Sequence, residues 1–114
     1  MRDCLHPRDL VPLLRKQAAA GCGAAVRTVN LGGGPENAMS LAELSSWCRA
    51  RFGNHAVGSD ETPRPFDVPW VVMDSSLARG VWGWTPQTPL SGILAELADH
   101  AEKNPGWLDL SGRV

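Results

Sequence analysis

The sequence predicts a small α/β fold with few strands and three to four helices, and three observations lead to this prediction. Apolar residues recur at helical spacing in several stretches that end at capping or breaking residues. Short stretches rich in β-branched residues lie between them. The chain has 114 residues, of which 43% are hydrophobic and 20% charged, as is usual for one globular domain. So few strands cannot cover both faces of a sheet, so they are expected to need partners from another segment.

The first predicted helix covers residues 8–20 and is followed by a strand. Its helical spacing is set by Leu10, Leu13, Leu14 and Gln17. Pro12 is tolerable because it lies within the first turn, and Gly21 and Gly23 are placed to end the helix. Residues 24–31 predict a strand because Val26, Thr28 and Val29 are β-branched, and the run Gly32-Gly33-Gly34-Pro35 ends it.

The second helix has the clearest start in the sequence. Ser40 and Glu43 form the capping-box pattern, in which each side chain accepts a backbone N–H of the other residue. The apolar face that follows consists of Leu41, Leu44, Trp47, Cys48 and Phe52, and Gly53 is the predicted stop. Residues 54–69 carry three prolines and are predicted to be mostly loop, with a short strand possible around Val57.

The last third of the chain predicts one short strand and two helices. Residues 70–73 form the strand, and the segment Asp74-Ser75-Ser76 is placed to cap a brief helix over 77–82. Gly83-Trp84-Thr85-Pro86 predicts a turn. Thr88 is then the expected N-cap of a final helix, with Pro89 at its first position and its end at Lys103.

Composition excludes several classes of function. The net charge is −1 and the eleven Lys and Arg residues form no tract, so nucleic acid is not an expected partner. The start of the chain lacks the apolar core of a signal peptide, and no stretch approaches the ~20 apolar residues that span a bilayer. We therefore expect a cytoplasmic protein with no membrane contact. The spacing of the three cysteines and three histidines predicts neither a disulfide framework nor a metal site.

The choice of Arg2, Arg64 and Asp67 as candidates for binding an anionic ligand is implied by a resemblance to a known family, named below with the phrases that carry it. Arg2 and Arg64 carry planar guanidinium groups that match phosphate oxygens, and two arginines can neutralise a diphosphate from different sides. Asp67 is suited to accept hydrogen bonds from hydroxyl groups. The alternative is that these are ordinary solvated side chains, with an Arg–Asp pair worth at most about 1 kcal/mol.

The glycine-rich run after the first predicted strand is not a phosphate loop. The Gly-x-Gly-x-x-Gly pattern fails because Asn37 stands at its last position and Pro35 interrupts it. The next helix also begins too far away, at Ser40, for its N-terminus to reach a phosphate held by those glycines. A structural turn is predicted instead, and no nucleophile or acid–base set can be placed in one site.

Four phrases, in this order, resemble the C-terminal half of the extended short-chain dehydrogenase/reductase family, which contains NAD-dependent nucleotide-sugar epimerases and dehydratases. The phrases are Arg2-Asp3-Cys4-Leu5-His6, Asn30-Leu31-Gly32-Gly33-Gly34, Arg64-Pro65-Phe66-Asp67 and Gly83-Trp84-Thr85-Pro86. The resemblance covers Arg2 to about His100 and is nearest to the CDP-paratose 2-epimerase branch. It implies the C-terminal substrate-binding portion of that fold, with the Rossmann core largely missing.

The resemblance also implies roles for the three candidate residues. Arg2 and Arg64 would contact the substrate pyrophosphate, and Asp67 would accept hydrogen bonds from the ribose hydroxyls. The chain departs from the family pattern at Pro7, where valine is usual, and at Phe66, where the family has glycine. If that glycine position has a positive φ, Phe66 is strained there.

The catalytic parts of the family are missing from this chain. It contains no tyrosine, so the Tyr-x-x-x-Lys pair is absent, and the Gly-x-x-Gly-x-x-Gly loop cannot be written on it. We therefore expect residues 1–114 to form a single nucleotide-sugar-binding domain with no catalytic, cofactor-binding or metal-binding residues, and NAD only in a full-length enzyme. Its expected partners are a CDP- or UDP-sugar and either an N-terminal Rossmann half or a second copy. The alternative is a stand-alone, non-enzymatic binding or interaction module; an unrelated small α/β enzyme has little support.

Overall fold

The structure, a computed structural model, describes residues 1–21, 26, 28–60, 62 and 65–106. This part of the chain is a small mixed α/β structure with four α-helices and a two-stranded antiparallel sheet. The strands are β1 (Arg2–Asp3) and β2 (Ala38–Met39). The helices are α1 (Leu10–Ala20), α2 (Leu41–Phe52), α3 (Ser76–Trp82) and α4 (Leu90–Lys103).

The sheet differs from the predicted one. Strand β1 pairs with β2, with Arg2 opposite Met39, and makes one parallel bridge to Val71 on its other side. The strand predicted over 70–73 is therefore reduced to this single bridge at Val71. The strand predicted over 24–31 is also wrong for residues 28–31, which pair with no described neighbour, while residues 24, 25 and 27 lie outside the described part. Their β-branched pattern favours extended backbone, but a strand also needs a neighbour to hydrogen-bond with.

Helix α1 confirms the first predicted helix. A 3₁₀ turn at Pro7–Asp9 leads into it, and His6 caps that turn because its Nδ1 accepts the N–H of Arg8 at 3.0 Å. Pro12 is the third residue of α1, where its missing N–H would have had no helical partner. Gly21 ends the helix with φ 66°.

Helix α2 confirms the capping box. The N–H of Glu43 donates to Ser40 Oγ at 3.2 Å, and the N–H of Ser40 donates to Glu43 Oε2 at 2.7 Å. Gly53 ends the helix at φ 91°, as predicted. Arg51 ties α2 to α4 through Asp99 and Glu102, at 3.3 and 2.9 Å.

The two C-terminal helices begin in different ways. The carboxylate of Asp74 accepts the N–H of Ser76, the first residue of α3, at 2.9 Å, while Ser75 at the N-cap position makes no side-chain capping bond. The prediction that Thr88 caps α4 is wrong: Pro89 occupies the N-cap position and the Thr88 hydroxyl donates to Asp9 instead. The orphan N–H of Leu90 donates to Asn37, a residue far away in sequence.

The core of the described chain is small. Its buried apolar residues are Leu13, Ala78, Trp84, Ile93, Leu94 and Ala98. The chain exposes 8723 Å² of surface, whereas a compact monomer of 12.2 kDa exposes about 6,000 Å². Several large apolar side chains of the described residues are also exposed, among them Leu14, Leu41 and Trp70. None of the described helices is both long enough and apolar enough to cross a membrane.

Candidate functional site

Asp9 and Asn37 form a buried centre, which we call the polar hub. Asp9 is 6% exposed, and its carboxylate accepts the N–H groups of Gln87 and Thr88 at 3.0 and 2.9 Å and the Thr88 hydroxyl at 2.9 Å. Its backbone carbonyl accepts the indole N–H of Trp84 at 2.6 Å. These bonds join the start of α1 to the segment that leads into α4.

The charge of Asp9 is stabilised by these donors. Burial acts to raise the pKa of the Asp9 carboxyl, because it disfavours the charged form. The hydrogen bonds from Thr88 and Gln87 and the nearby His6 outweigh that effect and hold the pKa below its ordinary value. Every one of these donors belongs to the protein itself. Asp9 is therefore an architectural residue, and its lowered pKa does not mark a catalytic acid.

Asn37 is the second member of the polar hub and is equally buried. Its Nδ2 donates to the Thr88 carbonyl at 2.9 Å, and its Oδ1 accepts the N–H of Leu90 at 2.8 Å. Its own carbonyl accepts the N–H of Cys4 at 3.0 Å. Asn37 thus caps α4 and fastens the segment after β1 to the segment before β2.

The glycine-rich run forms a tightly packed turn beside the hub, as predicted. Gly32 N–H donates to Ser75 Oγ at 3.0 Å and Gly34 N–H donates to Asp3 Oδ2 at 2.9 Å. A Cβ at Gly32 would overlap Asp3 and Met73. The N–H groups of Gly32 and Gly34 are therefore used within the fold, and protein atoms leave no room for a side chain at Gly32.

Arg2 and Asp67 are brought together by the fold although they lie 65 positions apart. Arg2 Nη2 lies 3.4 Å from Asp67 Oδ1, and both side chains are about half exposed, at 52% and 51%. Backbone contacts set this approach: the amino group of Met1 donates to the Pro69 carbonyl at 2.7 Å, and Val71 N–H donates to the Met1 carbonyl at 3.1 Å. Arg64, the third candidate, lies outside the described residues, so its role stays a prediction.

Arg2 and Asp67 lie along one groove of about 450 Å³, within the range of small-molecule sites. The other groove-lining residues are mostly apolar: Met1, Cys4, Met39, Ser40, Leu41, Leu44, Val68, Pro69, Leu94 and Leu97. The Arg2–Asp67 pair is therefore the charged part of a groove whose other lining residues are mostly apolar. Such a site suits a ligand with one anionic part and one large uncharged part.

Phe66 stands beside this pair in an unusual backbone conformation. Its φ is 61°, and no other described residue except glycine has a positive φ. Its side chain is fully exposed. The sequence raised this possibility because the resembled family has glycine here, and the structure shows the positive φ. Phe66 does not itself line the groove but directly precedes Asp67, which does; we call Arg2, Phe66 and Asp67 together the groove rim.

A second polar cluster joins His6 to α4. His6 Nε2 lies 3.2 Å from Glu96 Oε2, and Arg8 Nη2 lies 3.2 Å from the same oxygen. Because His6 Nδ1 already accepts the Arg8 N–H, the ring proton sits on Nε2 and points at the carboxylate. Both ring nitrogens are engaged, so His6 acts as a capping residue and has no nitrogen free to serve as a base.

No family model matches this chain, and neither the comparison with curated proteins nor that with solved structures found a match.

Proposed function

We propose that this chain is the nucleotide-sugar-binding C-terminal part of an NAD-dependent sugar epimerase or dehydratase and is not catalytic alone. One observation carries the proposal. Arg2 and Asp67, assigned to the same ligand by the sequence resemblance, lie 3.4 Å apart on the rim of one groove. Because these two residues are 65 positions apart, local chain geometry does not bring them together, and their contact depends on the fold.

The chemistry of the groove suits a nucleotide diphosphate linked to a sugar. The Arg2 guanidinium offers planar, charge-assisted donors for phosphate oxygens, and the Asp67 carboxylate accepts from hydroxyl groups. The Arg2–Asp67 pair is half exposed, so it is worth at most about 1 kcal/mol and is readily exchanged for ligand contacts. The apolar walls can cover the uncharged faces of the base and the sugar.

Catalysis would be supplied by another segment. The chain has no tyrosine, and the Gly32 and Gly34 donors of its glycine-rich turn are used internally, so hydride transfer with NAD is assigned to an N-terminal Rossmann half. The large exposed surface supports docking to such a half, or to a second copy. A cytoplasmic location is part of this proposal. Cys4 and Cys48 are free thiols, as is usual in a reducing compartment.

Titration calorimetry of the 114-residue chain with a CDP-sugar and a UDP-sugar tests the binding role. Because a hydrogen bond to a charged group contributes about 1.5–3 kcal/mol, Arg2→Ala is expected to weaken binding by about 10- to 150-fold. Asp67→Asn and Arg64→Ala are expected to weaken it as well. Arg15→Ala removes an exposed arginine of α1 that does not line the groove and serves as the matched control.

Two results would contradict the proposal. If neither nucleotide sugar gives heat, the alternative of a stand-alone interaction module is favoured. If Arg2→Ala and Arg15→Ala bind alike, the groove rim is not the site. The claim that the chain is not catalytic is tested separately: pure protein with NAD and nucleotide sugar is expected to show no turnover, and turnover would refute it.

A further inference from the structure

We propose that Phe66 is the face on which the base of the bound nucleotide stacks. This inference rests on the proposed function and adds the residue that recognises the base. It starts from two facts about one side chain: Phe66 has φ 61°, and its ring is fully exposed.

Neither the positive φ nor the exposure of the ring stabilises the folded state. A positive φ is unfavourable for any residue with a Cβ, and at this position, directly after Pro65, a glycine would adopt it freely. A fully exposed phenyl ring also gains nothing from burial, since it packs on no core residue. Both properties would be improved by glycine. The ring is therefore free of the core formed by the described residues and is available for contact with a ligand.

The position of Phe66 points to a planar ligand. It directly precedes Asp67, which lines the groove, so the two Cα atoms are about 3.8 Å apart. None of the residues lining the groove is aromatic. If Arg2 and Asp67 hold the phosphate and ribose parts, the base attached to that ribose needs a flat partner nearby. Phe66 is the aromatic residue of the groove rim, and base–aromatic stacking is favourable for every base.

Three substitutions separate stacking from the shape of the loop. Phe66→Leu keeps an apolar side chain at the same φ but removes the aromatic face. Phe66→Gly also removes the ring and relieves the backbone. Phe66→Trp keeps an aromatic face and is the matched control. The probes are CDP and UDP, which carry a base, and inorganic pyrophosphate, which has none.

The expected result is a loss that depends on the base. Phe66→Leu and Phe66→Gly are expected to weaken CDP and UDP binding by about 5- to 150-fold, the range found for a lost base–aromatic stack. Pyrophosphate affinity is expected to stay the same in both variants. Phe66→Trp is expected to bind CDP and UDP at least as tightly as the unaltered chain.

The outcomes that overturn the inference are distinct from those that overturn the proposed function. If the unaltered chain binds CDP in an Arg2-dependent way and Phe66→Leu binds it equally well, the stacking role is wrong while the proposed function stands. If Phe66→Leu weakens pyrophosphate as much as CDP, the residue shapes the loop and does not stack on a base. If the unaltered chain binds neither CDP nor UDP, both proposals fail.

Discussion

The polar hub and the groove rim use similar residue types in opposite ways. In the hub, every polar atom of the Asp9 and Asn37 side chains has a partner within the protein, and both residues are 6% exposed. In the rim, Arg2 and Asp67 share one 3.4 Å contact and are half exposed. A side chain whose hydrogen-bonding capacity is already filled cannot bind a ligand without breaking the fold. The rim keeps that capacity, which is why we assign binding to it.

The two regions should therefore differ most in stability. Asp9→Ala is expected to lower the free energy of unfolding by about 2–4 kcal/mol, because the partly buried N–H groups of Gln87 and Thr88 lose their acceptor. Asp67→Ala, at the rim, is expected to change it by at most about 1 kcal/mol. Urea denaturation measures both.

Equal losses in the two variants would mean that the hub is no more important to the fold than the rim. If Asp9→Ala fails to fold, Asp9→Asn is the variant to compare with Asp67→Asn. It keeps the shape of the side chain and one acceptor oxygen.

Strong acid is expected to remove the stability that the Asp9 carboxylate gives to the hub. The folded-state pKa of Asp9 is lowered, so the unfolded chain binds the proton more readily than the folded one. The stability from this group is fully present above the ordinary aspartate pKa of about 3.9 and is lost as pH falls through the lower folded-state pKa. Unfolding free energies measured from pH 7 to pH 3 should fall less steeply in Asp9→Asn, and an unchanged slope would contradict this.

A substitution at Asn37 also tests whether hub residues matter more to stability than exposed ones, and its expected effect is smaller than that of Asp9→Ala. Asn37→Ala is expected to cost about 2 kcal/mol, because the first N–H of α4 and the Thr88 carbonyl lose their partner. Asn30→Ala, at an exposed asparagine of the same segment, is the control and is expected to stay within about 0.5 kcal/mol. Similar melting temperatures for the two variants would show that α4 does not depend on this cap.

Local signals in the sequence were enough to predict the helices. The ends of α2 follow from Ser40, Glu43 and Gly53, all within one turn of the residues they cap. The start of α4 was predicted wrongly because its cap, Asn37, lies 53 positions away from Leu90. Strands β1 and β2 were missed since two residues each are too short to show alternation.

The candidate site was predictable only in part. Arg2 and Asp67 stood out through the resemblance, and the possible strain at Phe66 followed from a glycine position filled by phenylalanine. That the pair meets on one groove depends on how Met1 and Val71 pair, which no local pattern shows. The role of Asp9 was missed for a similar reason, because its partner Thr88 is 79 positions away.

The smallest expected effect has the opposite sign and lies at the rim. Phe66→Gly is expected to raise the free energy of unfolding by about 0.5–1 kcal/mol, because glycine adopts φ 61° without strain while no buried contact is lost. Phe66→Ala is the control: it removes the ring as well but keeps a Cβ at a positive φ, so no gain is expected. Thermal unfolding followed by circular dichroism distinguishes them. If Phe66→Gly is no more stable than Phe66→Ala, the backbone at this residue is unstrained, and its positive φ does not lower the free energy of unfolding. If it is more stable yet binds CDP less well, then at this residue the needs of folding and of binding are opposed.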